Sequence, residues 1–329
     1  MTQQLETDAS QIDRYLTLEL ARASECAAVA AARLRGRGDE MAADLAAAQA
    51  MREELSRLPV RGRIVIGEGD RDASPLLYVG EEIGAGVGPR VDLGVAALEG
   101  STLCAKDMPG SIAVVAMAPA GSLLHAPDVY MDKIAIGPGY PEGTVDLDHD
   151  PGDNVRALAI AKGVRPNEIT VSILDRPRHA DIIRACRKAG ASVRLITDGD
   201  VAAIILTTHP SETGVDMYLG RGGASEGVLA ACVLRCAGGQ MQGRLALETR
   251  DQIAQAERLG LLERRRKYAV GDMAAGDVVV CVTGVTVGPL VDGVALGRTT
   301  IDTETIVYRS ATGTIRRIHA IHRAEGKFD

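Results

Sequence analysis

The chain has 329 residues, 46% hydrophobic and 25% charged, with 44 acidic against 37 basic side chains and a formal net charge of -7. Seven tyrosines, one phenylalanine and no tryptophan leave no platform for stacking nucleobases, and the acidic balance opposes phosphate-backbone binding, which excludes nucleic acid as a partner. No run approaches the roughly 18 apolar residues of a membrane helix, and MTQQLETDASQIDRY lacks both the basic and the apolar region of a signal peptide, so no membrane is expected and a cytoplasmic location is.

Two helices are expected in the first sixty residues. Ser10 with Asp13 forms a capping pair before an amphipathic run to about Leu34. Gly36-Arg37-Gly38 breaks that run, Asp39 caps the next helix, and Leu58-Pro59 ends it. Short apolar runs bounded by Gly and Pro follow: RIVIGE from Arg63, VDLGVA from Val91 and SIAVVAMA from Ser111, which read as buried strands. Residues 137–153 form a Gly/Pro/Asp-rich loop, and a helix begins at about Asn154.

From Glu168 strand and helix alternate. ITVSILD, a helix over 179–189, SVRLITDGD and AAIILTT, taken as a strand, give βαβ character and an α/β fold. YLGRGGASEG leads into a helix over Glu226–Cys236, a charged helical stretch covers 251–267, and VVVCVTGVT, TTIDTETIVYRS and TIRRIHAIH close the chain as strands. Two halves meeting near 166–168 are the simplest division. The cysteines at 26, 104, 186, 232, 236 and 281 form no CxxC motif and read as small buried hydrophobes.

The acidic residues with chemical promise sit among glycines at strand ends: Glu68 in IGEGDRD, Glu99 in LEGST, Asp198 and Asp200 in TDGD, Glu226 in GGASEG. Carboxylates in such turns suit hard cations such as Mg²⁺ or Mn²⁺, although an acid beside glycine also serves as an ordinary turn residue. LEGST pairs a carboxylate with two hydroxyls, and reads either as a metal and phosphate turn or as a capped strand end. Arg176 and Arg178 in DRPRH either grip a phosphate or form a solvated loop cluster. His179 receives no catalytic role. Arg264–Lys267 reads as a solvated helix face, and Arg316, Arg317, His319 and His322 as one exposed strand face.

Taken in order, GRGDE (36–40), VIGEGDRDASPLLYVGE, LEGSTLCAKDMPGSIAVVAM, HAPDVYMDKIAIGP, DRPRH, TDGDVAA, GGASEGV and TIRRIHAIH (314–322) resemble the class II fructose-1,6-bisphosphatases. These belong to the lithium-sensitive sugar-phosphatase superfamily. DRPRH and GDE also resemble the variants that accept sedoheptulose 1,7-bisphosphate.

The resemblance implies a layered αβαβα sandwich and a homodimer or homotetramer acting on a small sugar bisphosphate. It implies a metal and phosphatase half over 1–167 and a sugar-phosphate half over 168–329. Asp44, Glu68, Glu99 and Glu226 fall at divalent-metal positions, for Mg²⁺ or Mn²⁺. Ser101 falls where the family has a threonine that positions the attacking water, so Ser101, Glu68 and Glu99 are the implied catalytic set. Glu99, Gly100, Ser101, Tyr130, Arg176, Pro177, Arg178, Asp198, Gly199, Asp200 and Gly223 fall at substrate positions.

One departure stands out. Where the family reads V-D-P-L/I-E-G-T, this chain reads Val95-Ala96-Ala97-Leu98-Glu99-Gly100-Ser101, so a metal-ligating aspartate is replaced by Ala96 and a proline by Ala97. Asp92 lies four residues upstream, about 13 Å along an extended strand, and is a poor substitute. A weakened enzyme is expected, the alternative being an inert sugar-bisphosphate-binding or regulatory homologue.

Overall fold

The computed structural model describes residues 12, 15–69 and 75–324. The Ser10/Asp13 pair and part of IGEGDRD lie outside the described residues. In chain order the elements are α1 (Leu16–Ala32), α2 (Glu40–Ser56), β1 (Arg61–Ile66), β2 (Glu82–Ile83), β3 (Arg90–Glu99), α3 (Ser101–Ala105), β4 (Ile112–Pro119) and β5 (Tyr130–Ile136). Then come α4 (Pro151–Lys162), β6 (Thr170–Leu174), α5 (Ala180–Lys188), β7 (Ser192–Ile196), α6 (Asp200–Leu206), α7 (Pro210–Thr213), β8 (Met217–Gly223), α8 (Ala224–Ala237) and β9 (Gln240–Leu245). The last are α9 (Arg250–Arg258), β10 (Tyr268–Ala269), α10 (Val270–Met273), β11 (Val279–Gly284), β12 (Ala295–Leu296), β13 (Thr300–Arg309) and β14 (Thr314–Arg323).

The strands form two mixed sheets. One runs β12-β13-β11-β4-β3-β1-β2 with β14 on β13; the other runs β10-β9-β5-β8-β6-β7. Each sheet draws on both sides of residue 167, because β5 joins the second and β11 to β14 join the first.

Side-chain alternation on β4 explains the layering. Ala113, Val115 and Met117 pack with α1 and α2, whereas Ile112, Val114, Ala116 and Ala118 pack with α6 and α8 in the middle of the molecule. The second sheet gives Met131, Ala135 and Tyr218 to that same middle layer and Ile134, Ile136 and Leu219 to a core shared with α4 and α5. The order is therefore α1/α2, sheet, α6/α8, sheet, α4/α5: the αβαβα sandwich. Both faces of each sheet are covered, which is why β4 and β11 read as continuous apolar runs rather than alternating ones.

Local signals set most boundaries. Asp39 caps α2 as expected, its Oδ1 accepting the Ala42 N–H at 2.9 Å. Asp150 and Pro151 start α4 three residues before Asn154. AAIILTT, expected as a strand, is α6; Gly199 in the left-handed region at φ 81° turns the chain into a helix there. A short, wholly buried apolar run carries no period that separates helix from strand. The stretch 251–267 is helical only to Arg258, so Arg264–Lys267 is not a helix face: Arg266 pairs with Asp272, and Lys267 with Asp146 and Asp148. On the edge strand β14 the expected single exposed face is absent: Arg316, Arg317 and His319 are exposed on both sides, and His322 is buried against Thr303.

A buried hydroxyl chain joins the first helix to the first sheet. Ser24 meets Thr283 at 2.7 Å, and Thr283 meets Thr305 at 2.8 Å, all three fully buried. Thr283→Val keeps the shape but takes this partner from the buried Thr305 hydroxyl and leaves Ser24 its bond to the Ala21 carbonyl, so urea denaturation should show a loss of about 1–3 kcal/mol; an unchanged midpoint would contradict this chain of bonds.

Candidate active site

Two turns of the same design build the heart of the site. β3 ends at Glu99, Gly100 takes the left-handed conformation at φ 80°, and α3 opens at Ser101. Past β7, Asp198 precedes Gly199 at φ 81°, and α6 opens at Asp200. The two turns interlock: the Val201 N–H near the start of α6 donates to Glu99 Oε1 at 3.1 Å. A carboxylate of the first sheet thus caps a middle-layer helix 102 residues away. The β3–β4 register shifts between Ala96 and Glu99, which turns Glu99 into this position.

Further carboxylates converge from other elements. Asp44 comes from α2, Glu68 from the turn after β1, and Glu226 from the first turn of α8. Mutual repulsion and burial act in one direction on all of them. Asp44 is pushed up to about 7, first by burial and then by Glu68, Glu40 and Asp198, while a hydrogen bond from Ser101 opposes the shift. Glu99 is held well above its ordinary value by burial, Asp200 and Glu226. Burial also raises Glu68, Glu226 and Asp198.

One cation lies beneath the cluster. Lys133, fully buried in β5, donates to Asp200 Oδ2 at 2.5 Å and to the Gly223 carbonyl at 2.8 Å. The double glycine of GGASEG follows from the same crowding. A Cβ on Gly222 would lie 1.8 Å from Asp200 Oδ2, and one on Gly223 1.9 Å from Glu226 Oε2.

The DRPRH loop borders this acidic cluster. Arg176 Nη2 donates to the Thr197 carbonyl at 2.7 Å, next to Asp198. Arg178 Nη2 donates to the Arg221 carbonyl at 2.9 Å, next to Gly222, and its guanidinium lies over the Tyr130 ring at 4.9 Å. Pro177 opens the short turn between the two arginines. Neither arginine forms a salt bridge among the described residues, so both remain available to an anion.

Sequence reasoning named most of these groups and missed three. Lys133 carries a visible signal, a charge beside Asp132 in the otherwise apolar strand MDKIAI. Glu40, which reads in the sequence as ordinary variation, acts through its charge on both Asp44 and Asp198. Arg221 is fixed by Asp132 at 2.6 Å and Glu248 at 2.7 Å, a pairing the sequence gives no means to anticipate.

The family model for bacterial fructose-1,6-bisphosphatase, glpX-encoded, matches residues 14–322. The chain belongs to the class II fructose-1,6-bisphosphatase family. It is 40% identical over 344 residues to the D-fructose 1,6-bisphosphatase class 2/sedoheptulose 1,7-bisphosphatase of Synechococcus sp. (strain JA-3-3Ab), covering 96% of this chain and 98% of that protein. It is 41% identical over 328 residues to fructose-1,6-bisphosphatase 1 class 2 of Escherichia coli (strain K12), covering 95% and 97%.

Within this bisphosphatase framework the two alanines have a physical consequence. The Ala97 N–H donates to Glu68 Oε1 at 2.8 Å, a bond that a proline at 97 has no hydrogen to make. Ala96 packs against the apolar middle layer and supplies no oxygen. Asp92 is engaged elsewhere, its Oδ2 accepting the N–H groups of Gly121, Ser122 and Leu123 at 2.7, 3.0 and 3.2 Å. The donors at the site are all oxygen, which fits Mg²⁺ or Mn²⁺ rather than a soft ion. Among the described residues no three acidic, histidine or cysteine side chains already form a metal-holding group.

Because the Asp44 carboxyl sits near 7 in the folded chain against an ordinary 3.8, its native state holds a proton that the unfolded state releases. Its contribution to stability is therefore fully present at low pH and is lost as pH rises from about 4 to about 7. In EDTA-treated protein, Asp44→Asn should melt higher than the parent at about pH 7.5, with the gap closing towards pH 5. A variant less stable than the parent at the higher pH would contradict the repulsion described.

Proposed function

We propose that this chain hydrolyses the C1 phosphate of fructose 1,6-bisphosphate, and the corresponding phosphate of sedoheptulose 1,7-bisphosphate, with Mg²⁺ or Mn²⁺, at a rate reduced by Ala96. The observation that carries this reading is the carboxylate cluster bordered by two arginines that have no ion-pair partner among the described residues. Anion and cation recognition lie side by side, as a doubly phosphorylated sugar requires.

In this reading Arg176 and Arg178 hold the phosphate remote from the reaction through charge-assisted bonds, with Tyr130 against the guanidinium of Arg178. That remote binding orients the reacting group. Asp198, Gly199, Asp200 and Gly223 line the sugar between them, and Gly100 lets the backbone turn sharply beneath the reacting phosphate. Ser101, hydrogen-bonded to Asp44, orients the attacking water in line with phosphorus. Asp44, Glu68, Glu99 and Glu226 would hold the divalent ions, which when bound neutralise charge on the transferring phosphoryl group. The exposed edge strand β14, with Ile321 69% exposed, supports association into a homo-oligomer.

A second reading, an inert sugar-bisphosphate-binding homologue, is favoured by the Ala97 N–H on Glu68 together with Ala96. Both changes subtract from the same cluster: one removes an oxygen and the other occupies one.

Phosphate release from fructose 1,6-bisphosphate with Mg²⁺ or Mn²⁺ separates these readings. Ala96→Asp combined with Ala97→Pro should raise the rate over the parent by roughly a hundredfold or more. A parent as fast as the double variant would make the missing aspartate dispensable. No release from either protein would move the chain to the inert reading.

A further inference from the structure

The parallel ladder between β6 and β8 has only two registered pairs, Val171 with Met217 and Ser172 with Tyr218. Beyond them the strands are bridged by a side chain. His179 is buried, 1% exposed, with Nδ1 2.8 Å from the Leu174 carbonyl and Nε2 accepting the Arg221 N–H at 2.8 Å. A carbonyl only accepts and a backbone amide only donates, so the partners dictate a neutral ring carrying its proton on Nδ1. Gly220 makes room for it: a Cβ there would stand 3.3 Å from His179 Cε1.

The residue held by His179 is the one that holds Arg178. The Arg221 N–H goes to the imidazole, and the Arg221 carbonyl receives Arg178 Nη2 at 2.9 Å. The Arg221 side chain is itself anchored on Asp132 and Glu248. We propose that His179 is a positioning residue for Arg178: the neutral imidazole fixes the Arg221 backbone and through it the guanidinium, and a proton on Nε2 displaces the Arg221 amide and loosens that grip. This rests on the reading of Arg178 as a phosphate ligand.

The surroundings oppose that proton. Arg176 and Arg178 face the ring from its own loop, and Arg221 and the Tyr218 phenol from β8, while Asp181 on α5 is exposed and pairs with Arg184. Burial, followed by the three arginines, holds the imidazole below its ordinary value. The grip is therefore intact at neutral pH and weakens only as the solution becomes acidic.

Calorimetric titration of the full chain with fructose 1,6-bisphosphate tests this without requiring turnover. At about pH 7.5, Arg178→Ala and His179→Leu should each weaken binding, by roughly ten- to a hundredfold, and the double variant should bind no more weakly than Arg178→Ala. His179→Gln, whose amide offers one donor and one acceptor, should bind as the parent does. Towards pH 5 the parent should lose affinity relative to His179→Gln by several-fold; titration of the sugar phosphate cancels in that ratio.

Melting curves establish that each variant is folded. If His179→Leu does not fold, the pH ratio of parent to His179→Gln decides alone. Additive losses in the double variant, parental affinity in a folded His179→Leu, or a constant ratio down to pH 5 would each overturn the proposal. Parental affinity in Arg178→Ala would instead overturn the phosphate assignment beneath it, as would no binding of the bisphosphate by the parent.

Discussion

Concentrated negative charge in a small, poorly hydrated volume is the condition to which the rest of this molecule answers. Asp44, Glu68, Glu99, Asp198, Asp200 and Glu226 arrive from α2, both sheets and two middle-layer helices, and each is a like charge to the others. The protein tolerates them through three devices. Backbone N–H groups of Ala97 and Val201 bond Glu68 and Glu99, Lys133 supplies an internal ammonium, and protonation removes part of the remaining charge. None of these neutralises the cluster fully, and a residual negative field remains at the site.

The sandwich exists to bring these groups together without exposing its core. Strand ends of both sheets and the N-termini of α6 and α8 meet at one place because the middle helices are shared by both sheets. Each convergence demands a backbone without side chains. Gly100 and Gly199 supply the left-handed turns, and Gly222 and Gly223 allow carboxylates within a distance at which any Cβ would collide.

Much of this was legible in the letters of the chain. The apolar runs at β3, β4 and β11 announced covered strands, and acids among glycines announced the cluster. What escaped notice did so for identifiable reasons. AAIILTT carries no period because both of its faces are buried, so its helical state depends on the Gly199 turn rather than on its own composition. Lys133 is visible as a charge in an apolar strand, but its partner is not: Asp200 comes within 2.5 Å only in the folded chain. The Ala97 N–H has no letter at all: alanine signals a lost proline, but only the folded chain reveals that the gained donor points at Glu68. His179 sits in a basic loop with nothing in the sequence to mark it as buried, and its use of both ring nitrogens depends on a strand forty residues further on.

The link between Glu99 and the Val201 amide has an evolutionary reading. That carboxylate fastens the first sheet to a helix of the middle layer, so its removal disturbs the alignment of two layers and not merely the chemistry between them. A lineage that abandoned catalysis would still be held to glutamate there by folding alone. Ala96, at the edge of the register shift and packed against the apolar middle layer, answers to no such scaffold demand. The two positions, three residues apart on one strand, therefore answer to different demands: position 99 to the alignment of two layers, position 96 to nothing beyond apolar packing.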